Sequence, residues 1–277
     1  MSRVTPSIAA DLLRRYGLRA GRRHGQHFLV DPNTVERIVR LAEVSSDETI
    51  LEVGPGLGSL TVALAEAARR VVAVELDATV AEALDEVLGG ASNVEVTTGD
   101  AMRIDLSALM NERARLIANL PYNVATPLML RVLDEVPQIA GGLVMVQKEI
   151  GERWTAKTST RAYNAVTLHI GFHAEAEIIG DVPKSVFMPP PRVASVLVRF
   201  TRRTHPAVKV RDDKDFLAFV GKAFAHRRKT LRNSLMAGGF DRELVERSLD
   251  PIGIDDRTRP EELGLEEFAG VFEAMSK

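Results

Sequence analysis

The chain is predicted to fold as an α/β domain, a parallel sheet wrapped on both faces by helices, followed by a small helical domain. Three observations predict this. Apolar runs of strand length alternate with segments of helical period from Thr49 to Val146. The first of these runs, T-I-L-E-V, passes directly into the glycine turn G-P-G-L-G. Beyond Pro206 the alternation stops, and helix-like segments separated by Gly238-Gly239 and by Pro251 take over. The boundary is expected near 205, in the linker R-R-T-H-P, giving domains 1–205 and 206–277.

Each element has a local reason. Ser7 is expected to cap a short helix through Tyr16 that Gly17 ends, and Asp31-Pro32 reads as a cap followed by proline at the first helical position. Val35, Ile38, Val39 and Ala42 fall on one face of that second helix. Strand Thr49–Val53, a helix from Ser59, strand Arg70–Glu75 and helix Ala78–Leu88 follow. Strands Val94–Thr97 and Arg115–Ala118, helix Thr126–Val136 and strand Gly142–Val146 complete the alternation. Less regular strands are expected at Ala176–Ile179 and Ser195–Thr201, flanking the rigid F-M-P-P-P-R.

Composition removes several function classes. No apolar run reaches the length of a membrane span, and M-S-R-V-T-P is not the start of a signal peptide, so a cytoplasmic protein with no membrane partner is expected. Zero cysteines exclude disulfides, thiolate metal sites and cysteine nucleophiles, and the six histidines read as scattered, so no metal is expected. The net charge of −2 is uninformative, but its placement is uneven. Six arginines stand against one acid from Met1 to Gln26, and Gly221 to Arg232 holds five basic residues and no acid. Either run alone fits a solvated face equally well.

E-V-G-P-G-L-G suggests a nucleotide cofactor, because glycines let the backbone turn sharply and approach a ligand. The dinucleotide spacing fails at Ser59. Glu75 ends the second strand 21 residues after Gly54, where a carboxylate can accept both hydroxyls of a ribose. Asp100, after the third strand, can accept from an adenine amino group. Read singly, Glu75 or Asp100 fits a helix cap as well as a ligand contact. Together with the turn they favour S-adenosylmethionine, which has ribose and adenine but no pyrophosphate.

N-L-P-Y (Asn119 to Tyr122) follows a buried strand at the sheet edge where α/β folds bind ligands. An exocyclic adenine amine is a poor nucleophile, because its lone pair is delocalised into the ring. The Asn119 side-chain oxygen and the Leu120 carbonyl can accept its two hydrogens and redirect that lone pair toward a methyl donor. Pro121 would stiffen the loop and Tyr122 would stack on the base. A strand stop with a buried tyrosine is the plainer reading of these four residues.

With these residues in hand the sequence resembles the ribosomal RNA adenine dimethyltransferases of the bacterial small-subunit type. The resemblance spans nearly the whole chain. It rests on G-Q-H-F-L (Gly25 to Leu29), E-V-G-P-G-L-G, V-E-L-D (Val74 to Asp77), G-D-A (Gly99 to Ala101) and N-L-P-Y-N-V-A-T-P. Q-K-E (Gln147 to Glu149), F-M-P-P-P-R-V (Phe187 to Val193) and H-R-R-K-T-L-R-N-S-L (His226 to Leu235) complete it. It implies a Rossmann-like S-adenosylmethionine-dependent methyltransferase fold with a small C-terminal helical domain. His27, Leu29, Gly54, Gly56, Glu75, Leu76, Asp100, Ala101 and Asn119 would then bind the cofactor. Phe187 would sandwich the target base against Tyr122, placing it with Asn119, Leu120, Pro121 and Tyr122 at the reaction centre. The implied reaction dimethylates N6 of two adjacent adenines in the 3′-terminal hairpin of 16S rRNA within the immature 30S subunit, by a monomer. Arg22, Arg23, Lys148, Arg227, Arg228, Lys229 and Arg232 would hold the RNA. The sister family acting on large-subunit RNA, and an assembly factor that mainly binds, are the alternatives. Two stretches depart from the family pattern. His27 replaces the commoner asparagine, and T-S-T-R-A-Y-N (Thr158 to Asn164) replaces P-G-S-K-x-Y-G.

Overall fold

The computed structural model describes residues 3–18, 27–226, 229–249 and 252–275. In chain order the elements are α1 (Pro6–Arg15), β1 (Phe28–Leu29), α2 (Pro32–Ala42), β2 (Thr49–Val53), α3 (Ser59–Ala67), β3 (Arg70–Glu75) and α4 (Ala78–Leu88). Next come β4 (Val94–Thr98), β5 (Ala114–Asn119), α5 (Ala125–Glu135), β6 (Ile139–Gln147), α6 (Lys148–Trp154), α7 (Ala165–His173) and β7 (Ala174–Val182). β8 (Phe187–Met188), β9 (Ser195–Arg202), α8 (Asp213–Ala223), α9 (Leu231–Ala237), α10 (Arg242–Leu249) and α11 (Leu265–Ala274) complete the chain.

Two compact units emerge, Met1–Gly151 with Glu177–Arg202, and Glu152–Ala176 with Arg203–Lys277. A single cut near 205 is therefore corrected. Leu168 and Phe172 of α7 share one core with Phe216, Val220, Phe268 and Val271, so the segment around them belongs with the later helices. Nor is Arg202 linker. It ends β9 and donates to the carbonyls of Val132, Leu133, Val136 and Ile139.

In the first unit the sheet order is β4-β3-β2-β5-β6-β9-β7. Strands β2 to β6 run parallel, and β2 is buried at all five positions, as a central parallel strand covered on both faces must be. The expectation of a wholly parallel sheet is corrected at β9, which pairs antiparallel with β6 through Gly142↔Phe200 and Gln147↔Ser195. Between β6 and β9 the chain passes through α6, α7, β7 and β8, so β9 does not belong to the regular strand–helix–strand alternation that makes β2 to β6 parallel. One face packs α2 and α3 through Ile38, Leu60 and Leu64 onto Ile50, Ile117 and Leu143. A second cluster joins Leu12, Phe28, Leu57, Val80 and Leu84. Asp31 caps α2 by accepting from Thr34 N at 2.8 Å. The cap of α1 is Thr5 rather than Ser7, since Pro6 already takes the first helical position.

The second unit is built on aromatic rings, with Phe172, Phe216, Phe219, Phe268 and Phe272 in contact. The buried Tyr163 hydroxyl donates to Leu263 O at 2.8 Å. The basic stretch from Gly221 to Arg232 does not form one continuous helix. α8 stops at Ala223, and α9 starts only at Leu231, where the Thr230 hydroxyl caps it. No helix among the described residues is long and apolar enough to cross a membrane.

Candidate active site

The carboxyl ends of β2, β3 and β5, with the loop after β4, close around a cavity of about 400 Å³ in the first unit. All nine residues expected to bind a cofactor line it, His27, Leu29, Gly54, Gly56, Glu75, Leu76, Asp100, Ala101 and Asn119, together with Leu120, Pro121 and Tyr122. The parallel strands explain the convergence, because each ends on the same sheet edge.

Close packing dictates the turn after β2. Gly54 and Gly56 have φ of 73° and 57°, which disfavour any side chain. A Cβ at Gly54 would lie 3.0 Å from Pro121 Cγ, and one at Gly56 would lie 3.0 Å from Phe28 Cδ1. The loop after β5 and strand β1 are thus packed directly on main chain.

Glu75 is 5% exposed, and its two oxygens accept from Gly56 N and Asp77 N, each at 3.1 Å. Burial raises its pKa, against those main-chain donors. Each oxygen keeps a further lone-pair direction for a ribose hydroxyl. Leu76 beside it is 61% exposed, an apolar surface within the cavity wall. Asp100 is partly engaged as a turn residue, since Oδ1 accepts from Met102 N at 2.9 Å and Oδ2 lies 3.4 Å from Arg103 Nε. Arg131 of α5 holds the same loop by donating to Ala101 O and Ile104 O.

Asn119 ends β5 with its amide oriented. Nδ2 donates to His27 O at 3.4 Å, which leaves the buried Oδ1 as an acceptor with no partner. An unsatisfied buried acceptor costs about 1–3 kcal/mol, so a donor arriving in the cavity is favoured there. Leu120 N is fixed to Met145 O at 3.1 Å, and the Pro121 carbonyl accepts from Val124 N, so the loop is anchored at both ends. His27 Nδ1 is bonded to Pro189 O at 2.8 Å.

A model of the ribosomal RNA adenine dimethylase family matches residues 17–277. The chain belongs to that family. Two curated members, each named ribosomal RNA small subunit methyltransferase A, match nearly full length. The Geobacillus thermodenitrificans protein is 40% identical over 98% of this chain and 96% of its own, and the Bacillus cereus protein (strain B4264) is 39% identical over 98% and 97%. Among solved structures, the 23S rRNA methyltransferase ErmE has a TM-score of 0.68 at 27% identity, covering 90% of this chain and all of its own. A dimethyladenosine transferase from Plasmodium falciparum reaches 0.77 at 22%, over 90% and 98%, which shows the shared fold.

Against the expectations that the family raised, several residues differ. Phe187 does not line the cavity. It pairs with Leu29 across β1·β8 and is 3% exposed, packed in the core with Leu60, Met145 and Leu197. Arg22, Arg23, Arg227 and Arg228 lie outside the described residues. Lys229 is exposed, and Lys148 lies 3.6 Å from Asp181. Arg232 is paired with Asp256 at 2.5 Å and Glu246 at 3.8 Å. In the N-terminal basic run Arg3 pairs with Glu36, Arg14 with Asp11, and Arg15 with Asp11 and Glu86. Nor are the histidines all scattered. His169 and His173 of α7 do have H-x-x-x-H spacing, with ring centroids 5.5 Å apart.

Sequence reasoning missed Glu52. It lies on β2, 1% exposed, at the cavity floor, and burial with the nearby Glu75 charge lifts its pKa to about 8. Its Oε2 has no partner, and the neighbouring Thr61 hydroxyl lacks hydrogen-bonding geometry toward it. An ionisable residue inside a fully buried five-residue strand, between Leu51 and Val53, was the available signal.

Proposed function

We propose that this chain dimethylates N6 of two adjacent adenines in the 3′-terminal hairpin of 16S rRNA, within the immature small subunit in the cytoplasm, using S-adenosylmethionine. The observation that carries the reading is the oriented Asn119 amide, whose Oδ1 is buried without a partner in a residue that lines the cavity together with Tyr122. Full-length identity of about 40% to small-subunit methyltransferases, against 27% to ErmE, supports the small-subunit substrate over the large.

The cavity fits the proposed donor on this structure's own features. The main chain of Gly54 and Gly56 lines the cavity bare of side chains, the Glu75 oxygens have capacity left for a ribose, and Glu52 Oε2 lacks a partner. Glu75, Leu76, Asp100 and Ala101 would hold the adenosine part, and His27 and Leu29 the methionine side. S-adenosylmethionine bound there supplies an electrophilic sulfonium methyl. Asn119 Oδ1 and the Leu120 carbonyl accept the amine hydrogens and orient the adenine nitrogen. Pro121 stiffens the loop, and Tyr122 stacks on a base withdrawn from its helix. Asn119 is not a base, so the proton of the alkylated amine passes to water. Lys148 and Lys229, with Arg22, Arg23, Arg227 and Arg228, are proposed phosphate contacts, whereas Arg232 already has carboxylate partners.

Incubation with labelled S-adenosylmethionine and undermethylated small subunits, followed by nucleoside mass spectrometry, tests this. Labelled N6,N6-dimethyladenosine in small-subunit RNA is expected. Label confined to large-subunit RNA, or none, overturns it.

A further inference from the structure

Tyr122 stands on a loop, yet its hydroxyl is tied to a buried, paired strand of the first unit. It lies 2.7 Å from Ser195 Oγ. Ser195 opens β9, has no exposed surface, and is paired across the sheet with Gln147. The next residue of β6's edge is stitched down as well, since Lys148 N donates to Ala194 O at 3.0 Å. The ladder fixes the backbone of Ser195, and the close packing that leaves its side chain no exposed surface restricts the rotation of its hydroxyl. Whatever it bonds therefore inherits the precision of the sheet. From another side the His27 ring packs on Tyr122 with centroids 5.5 Å apart and planes tilted by 33°. Burial raises the Tyr122 pKa, so the phenol is neutral and has a proton to share with Ser195.

We propose that Ser195 is a positioning residue for adenine methylation, its hydroxyl fixing the Tyr122 ring in the stacking pose before the base arrives. The inference rests on the reading of Tyr122 as the stacking residue. A ring tethered at its tip cannot swing about its Cα–Cβ bond. An untethered ring would have to be ordered by the incoming base, at the expense of the binding that aligns the amine.

The test is a double-mutant cycle with an independent spectroscopic readout. Ser195→Ala should slow single-turnover methyl transfer about three- to tenfold, the range of one net hydrogen bond, with S-adenosylhomocysteine affinity unchanged. Tyr122→Phe should do the same, and the double variant should be no slower than the slower single. With ring-labelled tyrosine, the chain's three tyrosines give few carbon resonances. The one missing in Tyr122→Phe should move in Ser195→Ala. Additive losses, a normal Ser195→Ala rate or an unmoved resonance each overturn the proposal. If Ser195→Ala does not fold, Tyr122→Phe removes the same bond, and a normal rate in it overturns the proposal alone. Wild-type protein that makes no methylated adenine sinks the function itself, and that arm separates the two failures.

Discussion

The cavity of the first unit and the aromatic core of the second obey different rules. In the second unit several polar groups that bridge the core have defined partners. Tyr163 Oη donates to Leu263 O, Ser234 Oγ to Ala223 O, and Arg232 has two carboxylates. In the cavity, Asn119 Oδ1 and Glu52 Oε2 are buried without partners, two glycines hold left-handed backbone, and Leu76 is left exposed. The unpartnered acceptors and the exposed leucine disfavour the empty fold and are satisfied by a ligand of matching chemistry, while the glycines let that ligand approach the main chain. The residues proposed to bind a ligand are thus found where local rules are broken.

The sharpest way to break this comparison is at Asn119. Asn119→Ala should lower methyl transfer by roughly a hundredfold or more, the scale for one positioned transition-state partner, with RNA affinity little changed. Single-turnover rates near normal would remove the amide from the mechanism. Next in size, Glu75→Ala should weaken S-adenosylhomocysteine by about 1.5–3 kcal/mol, as expected for bonds to a charged group, which calorimetric titration reads directly. Unchanged affinity would return Glu75 to the role of a turn residue.

Glu52 gives a pH signature. Its folded pKa is raised to about 8, so between the ordinary carboxylate range and that value the unfolded chain releases a proton that the folded chain keeps. Stability therefore falls as pH rises through this window. Glu52→Gln should remove that component, and its melting temperature relative to wild type should climb from pH 5 to pH 8, by the equivalent of roughly 1–4 kcal/mol. A flat difference would mean that Glu52 is ionised in the fold. The smallest effect belongs to the second unit. Lys229→Gln should reduce the slope of log affinity for duplex RNA against log salt by about 0.9, while Arg232→Gln should leave the slope alone and lose at most about 1 kcal/mol of stability. A salt slope altered by Arg232→Gln would show that its ion pairs open for phosphate.

Much of the cavity was legible because its signals are local. A glycine turn after an apolar run, a carboxylate one βαβ unit later, and a proline that stops a strand each act within a few residues of their cause. What was not legible depends on contacts distant in sequence. Phe187 reads as a stacking ring until its pairing with Leu29 buries it. The segment 152–176 joins the later helices because Leu168 and Phe172 meet Phe216 and Phe268 in one core. The stretch from Gly221 to Arg232 has the composition of a basic helix, yet Thr230 starts a new one. Glu52 hid in a strand whose apolar neighbours drew attention from it.

The contacts of Gly54 with Pro121 and of Gly56 with Phe28 also bear on drug resistance. An inhibitor that draws its affinity from the main chain of residues 54–56 would meet a surface that single substitutions cannot easily reshape. A side chain at either position would collide with a proline or a phenyl ring from a separate segment of the chain. Escape would then require coordinated changes at two positions, at sites the enzyme itself uses.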